Sequence, residues 1–145
     1  MSSKSEMAAA YFHSGFNCAQ SVAAVFCEKY GMDKSIVLKM CSGLGAGFRS
    51  GEICGAVSGA VLVIGLKYGQ DTAEDKTVKD HCNAQAVEFL NLFRAKNKYV
   101  VCRDILGFDL SNKEEYAQAQ ERNLFKTTCV DMVNSAVALL EELGY

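Results

Sequence analysis

Seven cysteines are the residues of this 145-residue sequence with the greatest capacity for chemistry, because thiolates act as nucleophiles, redox centres and metal ligands. They are spread along the chain, and no two of them form a Cys-x-x-Cys pair. The spacing therefore does not predict a thioredoxin-type dithiol, a zinc ribbon or a covalent haem site. Cooperation between the thiols has to come from the fold, either as an exchangeable disulfide or as a Cys-ligated metal site.

Four of the cysteines are predicted to lie at helix starts: Cys18, Cys54, Cys102 and Cys129. The unpaired N–H groups and the dipole of a helix N-terminus favour negative charge, so this placement is expected to lower the pKa of a thiol. The other three fall inside or late in predicted helices, and we expect them to be buried packing residues: Cys27, Cys41 and Cys82.

The elements that must position these thiols are predicted to be helices throughout. The chain has no proline, and its apolar residues recur three and four positions apart. Asn17-Cys-Ala-Gln20 has the form of a capping box before a helix that is predicted to continue to Tyr30, and Asp33 is predicted to cap the next helix. Thr128 with Asp131 forms a further capping pattern. We expect a single all-α domain over residues 1–145, a compact bundle of about six helices around a Gly-rich central helix.

The central helix is predicted from about Glu52 to Tyr68, with Cys54 in its first turn. Gly51, Gly55 and Gly59 recur every four residues along it, which removes side chains from one face. Each glycine costs about 1 kcal/mol of helix propensity relative to alanine. Three together indicate close helix packing or access for a ligand.

Composition limits the classes of partner. The formal net charge of -2 and the lack of a Lys/Arg-rich run argue against nucleic acid. The longest uncharged stretch, residues 53–66, has 14 residues, whereas a membrane span needs about 20, so no membrane insertion is expected. The first residues lack an apolar signal core, which predicts a cytoplasmic protein with mostly reduced thiols.

Three other features are candidates for function. Gly43-x-Gly-x-Gly47 is expected to be a tight helix connection rather than a phosphate cradle, because no strand is predicted before it. Arg49 beside it is a cation that could stabilise a Cys54 thiolate. His13 and His81 are isolated in sequence and form no metal motif by themselves.

A family resemblance rests on three pieces of sequence. They are Asn17-Cys18-Ala19-Gln20, the run Cys54-Gly55-Ala56-x-x-Gly59, and the single cysteines Cys102 and Cys129. With these the chain resembles the C_GCAxxG_C_C family of putative redox-active proteins over nearly its whole length. The resemblance implies redox activity carried by four characteristic thiols, here Cys18, Cys54, Cys102 and Cys129.

The leading hypothesis is a thiol redox protein in which Cys54 is the attacking thiolate and exchanges a disulfide with Cys18, Cys102 or Cys129. The alternative is a binding module in which the same thiols ligate a metal ion or iron–sulfur cluster, or flank a small-cofactor pocket. A third hypothesis is a packing or oligomerisation unit with inert cysteines. The partner would be a redox protein or a small molecule that the sequence does not identify, and a homo-oligomer is compatible with these features.

Overall fold

The computed structural model describes residues 2–145, and these residues are all-helical with no β-strand. Eight α-helices follow one another: α1 (Ser3–Ser14), α2 (Cys18–Ala24), α3 (Lys34–Met40), α4 (Gly55–Tyr68), α5 (Lys76–Asn97), α6 (Cys102–Leu106), α7 (Lys113–Glu121) and α8 (Thr128–Glu142). The all-α class is confirmed, whereas the expected number of about six helices is too low. None of the helices within residues 2–145 combines the length and apolar character that crossing a bilayer requires.

The structure divides one predicted helix and forms a short helix in a segment that the sequence indicates is a transition. A single helix was expected from Asn17 to Tyr30, but α2 ends at Ala24 and a 3-10 turn, Cys27–Tyr30, follows it. Gly31, with φ of 80°, then closes the turn in the left-handed conformation that glycine adopts at low cost. The segment before Gly107 forms α6, a helix of only five residues.

The start of α2 is fixed by the predicted capping box. The Asn17 side chain accepts a hydrogen bond from the Gln20 N–H at 2.8 Å, and the Gln20 side chain accepts one from the Asn17 N–H at 2.9 Å. The Asn17 amide also donates to the carbonyl oxygens of Cys41 and Ser42, each at 3.1 Å. These bonds tie α2 to the end of α3 and hold Cys18 as the first residue of α2.

Two further capping predictions have different outcomes. Asp33 caps α3 as expected, accepting a hydrogen bond from the Ile36 N–H at 3.1 Å. Thr128 was expected to cap α8, and this is wrong, because Thr127 occupies the capping position and Thr128 is the first helical residue. Thr127 makes no side-chain capping bond, since its hydroxyl donates to the Asn123 carbonyl at 3.0 Å.

The central helix is α4, which packs against α2, α5 and α8. Gly59 lies so close to α2 that a Cβ added there would be 2.7 Å from the Ala19 carbonyl oxygen. A Cβ on Gly55 would be 3.1 Å from the Cβ of Cys18. The predicted close approach is confirmed at these two glycines. Gly51 lies outside the helix, with φ of 70° in the turn that precedes it.

The buried apolar residues form two clusters. The larger joins α1, α2, α4, α5 and α8 and includes Cys54. The smaller surrounds α6 and α7 and contains Cys102, Leu106, Leu110 and Ala119. Cys18 packs against the larger cluster and Cys129 against the smaller. The two clusters therefore meet in the region of the cysteines.

Candidate functional site

The four cysteines predicted at helix starts do lie there. Cys18 and Cys102 are the first residues of α2 and α6, and Cys129 is the second residue of α8. Cys54 immediately precedes α4, at the capping position, rather than within its first turn. Four chain segments that are distant in sequence thus contribute one thiol each.

Cys54 and Cys102 are placed side by side by a short antiparallel β-bridge between the segments that precede α4 and α6. The Cys54 N–H donates to the Val100 carbonyl at 2.8 Å, and the Cys102 N–H donates to the Glu52 carbonyl at 2.6 Å. The Glu52 carboxylate also pairs with the Arg103 guanidinium at 2.8 Å. The backbone around these two thiols is therefore held from both sides.

All four cysteines line one cavity of about 360 Å³ that is partly open to solvent. The rest of its wall is mostly apolar and aromatic, and includes Phe12, Phe16, Leu110, Tyr116, Phe125 and Met132. Sequence reasoning did not identify these wall residues, because apolar and aromatic residues are equally typical of a closed core. The size is within the range of small-molecule sites, which are usually about 300–1,000 Å³.

The three cysteines expected to be packing residues do not line this cavity. Cys27 and Cys41 are fully buried, which confirms the expectation for them. Cys82 is half-buried on α5 and contributes to the edge of the larger cluster. Burial raises the pKa of Cys27 and of Cys41, so both remain neutral thiols at physiological pH.

Burial is the main cause of the raised pKa of two of the four cavity thiols, Cys54 and Cys102. It raises the pKa of Cys54 to about 11, and the N–H groups of Ala56 and Val57 at the start of α4 offset only part of this effect. Burial, followed by the charges of Cys54 and Cys129, raises the pKa of Cys102 to about 12. The expected acidification at a helix start is wrong for both thiols, because the dipole of a helix does not compensate for the loss of water around a thiolate.

Cys18 and Cys129 behave as a coupled pair. The interaction of the Cys129 side chain with that of Cys18 lowers the pKa of the Cys129 thiol despite its burial. The same contact, with burial and the charges of the other three cysteines, raises the pKa of Cys18 well above its ordinary value. Every one of the six pairs among the four thiols interacts electrostatically, so the cluster gains its first negative charge at Cys129.

The connection from α3 to α4 contains a left-handed turn. Ala46, Gly47, Phe48 and Arg49 have consecutive φ values of 53°, 62°, 59° and 58°. The Glu52 N–H donates to the Gly47 carbonyl at 3.0 Å and closes the turn. Left-handed backbone costs a residue with a side chain about 1–2 kcal/mol, so three such residues in this turn are a substantial local strain.

This turn places Arg49 on the wall of the thiol cavity. The expectation that Arg49 stabilises a Cys54 thiolate is not supported, since Arg49 is not among the groups that shift the pKa of any of the four thiols. The glycine-rich run itself is a connection between helices, as predicted.

A metal site receives no geometric support. Within residues 2–145, no three side chains of the His, Cys, Asp and Glu types are arranged closely enough to hold an ion. His81 packs edge-on against the Tyr68 ring, with ring centroids 4.7 Å apart, and His13 packs against Phe12. Neither histidine lines the thiol cavity.

Comparison with known proteins gives one family. The family described as "Putative redox-active protein (C_GCAxxG_C_C)" matches residues 16–143, which include all four cavity cysteines. No curated protein and no solved structure matches the chain.

Proposed function

Because the chain belongs to the C_GCAxxG_C_C family of putative redox-active proteins, we propose that it is a thiol–disulfide exchange protein whose reacting pair is Cys18 and Cys129. One observation carries the proposal, which is that four cysteines from four helix starts line the same small cavity. Cysteines that only fill the core are expected to be dispersed in it, rather than to line one cavity that is partly open to solvent.

Cys129 is the attacking thiolate in this proposal, in place of the Cys54 thiolate expected from sequence. Cys129 is half-buried and its interaction with Cys18 lowers its pKa, whereas Cys54 is buried and burial raises its pKa. Since the thiolate and not the thiol attacks a disulfide, the more acidic and more accessible sulfur reacts first.

The exchange conserves atoms and electrons. The Cys129 thiolate attacks one sulfur of a small-molecule disulfide, RSSR, which forms a Cys129–S–S–R bond and releases RS⁻. The Cys18 sulfur, losing its proton, then attacks the Cys129 sulfur and releases the second RS⁻. Both RS⁻ ions are protonated to RSH. Two protein thiols are thereby oxidised to one disulfide, and RSSR is reduced to two RSH.

Cys54 and Cys102 are assigned as the inner exchange partners. Both line the same cavity and interact electrostatically with Cys129. When Cys54 loses its proton and attacks the Cys18–Cys129 disulfide, one sulfur of that pair is released as a thiolate and takes up a proton. Cys102 can then attack Cys54 in the same way, which moves the disulfide inward with no net change in thiols.

Counting free thiols under defined redox conditions tests this function. Reduced protein is equilibrated with graded ratios of bis(2-hydroxyethyl) disulfide to 2-mercaptoethanol and then assayed for thiols. At intermediate ratios we expect the seven thiols to fall to five, and an excess of dithiothreitol to restore all seven. The Cys82→Ser variant should show the same loss of two, from six to four. A count that stays at seven at every ratio would contradict the proposal.

The alternative of a Cys-ligated metal or iron–sulfur site is tested on the same material. Protein purified without oxygen is analysed for metals and for acid-labile sulfide before any thiol count. Exchange chemistry predicts less than stoichiometric metal, since ligated thiolates would not be free to react. Stoichiometric metal that is lost in the Cys54→Ser variant and kept in Cys82→Ser would support ligation instead.

A further inference from the structure

The thiol cavity contains one formally charged side chain among the wall residues that the structure describes, and this is Arg49. From this we infer that the cavity takes a small disulfide or thiol that carries a carboxylate, with Arg49 as the residue that selects the charge. The inference rests on the proposed exchange function and adds the class of its substrate.

Charge complementarity points to an anion rather than a cation or a neutral ligand. Apart from the Cys129 thiolate, which is the attacking group, the other wall residues offer aromatic rings, aliphatic groups, thiols and the Asn17 amide, and none of these carries a formal charge. An Arg guanidinium presents a planar fork of N–H donors that matches the two oxygens of a carboxylate. Arg49 is exposed to solvent and lines the cavity, so its guanidinium is accessible to an entering ligand.

The guanidinium of Arg49 is available for a ligand. Within residues 2–145 no carboxylate lies at ion-pair distance from it. Two acidic residues close to Gly51 at the end of the turn are engaged elsewhere, because Glu52 pairs with Arg103 and Asp109 accepts hydrogen bonds from the Ser111 N–H and hydroxyl. Arg49 also does not act on the thiols themselves, as their pKa shifts have other causes.

The backbone that carries Arg49 is strained and yet held in place. Gly47 packs so closely on Glu52 that an added Cβ would lie 2.4 Å from the Glu52 nitrogen, and Gly45 packs similarly on the Asn17 side chain. Asn17 and Glu52 are also the residues that position Cys18 and Cys102 through hydrogen bonds. The same residues therefore contact the turn and position the thiols, which fixes the backbone of Arg49 relative to the reacting sulfurs. Strain that persists in this way is typical of functional sites.

Three disulfides of matched length test the charge preference: 3,3′-dithiodipropionate with two carboxylates, bis(2-hydroxyethyl) disulfide with none, and cystamine with two ammonium groups. The rate at which each oxidises the reduced protein is measured for the wild type and for Arg49→Gln. We expect Arg49→Gln to slow the reaction with dithiodipropionate about tenfold, and to leave the neutral disulfide within about twofold. Cystamine should react faster with the variant than with the wild type.

Two further variants separate charge from folding. Arg49→Gly removes the cation and also relieves the left-handed strain, so it should fold and should lose the same preference. Arg94→Gln removes an exposed arginine of α5 that does not line the cavity, and it should keep the wild-type preference. Equal changes in rate for all three disulfides in Arg49→Gln would overturn the inference and leave the exchange function intact. Failure of every disulfide to oxidise the wild type would overturn both.

Discussion

Replacing Cys129 with serine is expected to slow the reaction of the reduced protein with bis(2-hydroxyethyl) disulfide at pH 8 by about tenfold to a hundredfold. The remaining cavity thiols are poorer nucleophiles at this pH, because burial raises the pKa of Cys54 to about 11 and that of Cys102 to about 12, and it still raises the pKa of Cys18 when Cys129 no longer contributes. The measurement is the rate of the fast phase, followed by mass spectrometry of the quenched protein.

The size of this effect follows from the thiolate fractions. At pH 8 a thiol with a pKa of about 11 is ionised in about one molecule in 1,000, whereas the lowered pKa of Cys129 gives it a larger thiolate fraction than an ordinary cysteine. A thiolate of higher pKa is intrinsically more nucleophilic, which offsets part of this difference. The poor accessibility of Cys54, only 6% exposed, slows it again.

The pH dependence of the reaction rate is expected to differ between the wild type and Cys129→Ser. In the wild type the rate should rise with pH and level off as Cys129 ionises, below the pH range of an ordinary cysteine. In Cys129→Ser the residual rate should level off at a higher pH than in the wild type, because burial raises the pKa of each remaining cavity thiol. Cys82→Ser is the matched control and should keep the wild-type fast phase. If Cys129→Ser keeps that phase unchanged, the assignment of the attacking thiolate is wrong.

Alanine at Gly59 and alanine at Gly65 are expected to change stability in opposite directions, although both lie in α4. A Cβ at Gly59 would be 2.7 Å from the Ala19 oxygen and 2.9 Å from its Cα, and helix backbone cannot move aside without shifting α2. Overpacking of this kind costs about 1–3 kcal/mol of the free energy of unfolding. A Cβ at Gly65 has no heavy atom within 4 Å, so alanine there should add about 0.5–1 kcal/mol.

Urea unfolding of the two variants measures this difference. Because Ala19 follows Cys18, a displaced α2 also moves the Cys18 sulfur, so Gly59→Ala should form the Cys18–Cys129 disulfide more slowly than Gly65→Ala. Equal stabilities of the two variants would mean that the close α2–α4 contact does not constrain the fold.

Local features of this fold could be predicted from the sequence. The capping box of Asn17 and Gln20 was predictable because it involves residues three positions apart, and so was the close packing at Gly55 and Gly59. The helix-start positions of the four cysteines followed from the same local signals. The convergence of Cys18 and Cys129 on one cavity depends on tertiary packing between α2 and α8, which no local spacing encodes.

The acidity of the thiols and the path of the turn were not predictable for different reasons. The pKa of Cys54 depends on the water that the folded core removes, and this outweighs the helix-start effect that the sequence suggested. The left-handed turn runs through Ala46, Phe48 and Arg49, residue types that disfavour this conformation. It is imposed by surrounding contacts, so its sequence carried no signal for the placement of Arg49.

Mapping the first disulfide that forms is the most direct test of the claim that the four thiols are one exchange site. Reduced protein is treated with limiting bis(2-hydroxyethyl) disulfide, the free thiols are blocked with an alkylating reagent at acid pH, and the bridged peptides are identified by mass spectrometry. We predict a Cys18–Cys129 bridge first and a Cys54–Cys102 bridge with more oxidant. Cys27, Cys41 and Cys82 should be recovered in alkylated form, because they take part in no bridge. Bridges that join a cavity cysteine to Cys27, Cys41 or Cys82, or only mixed disulfides without any bridge, would contradict the account.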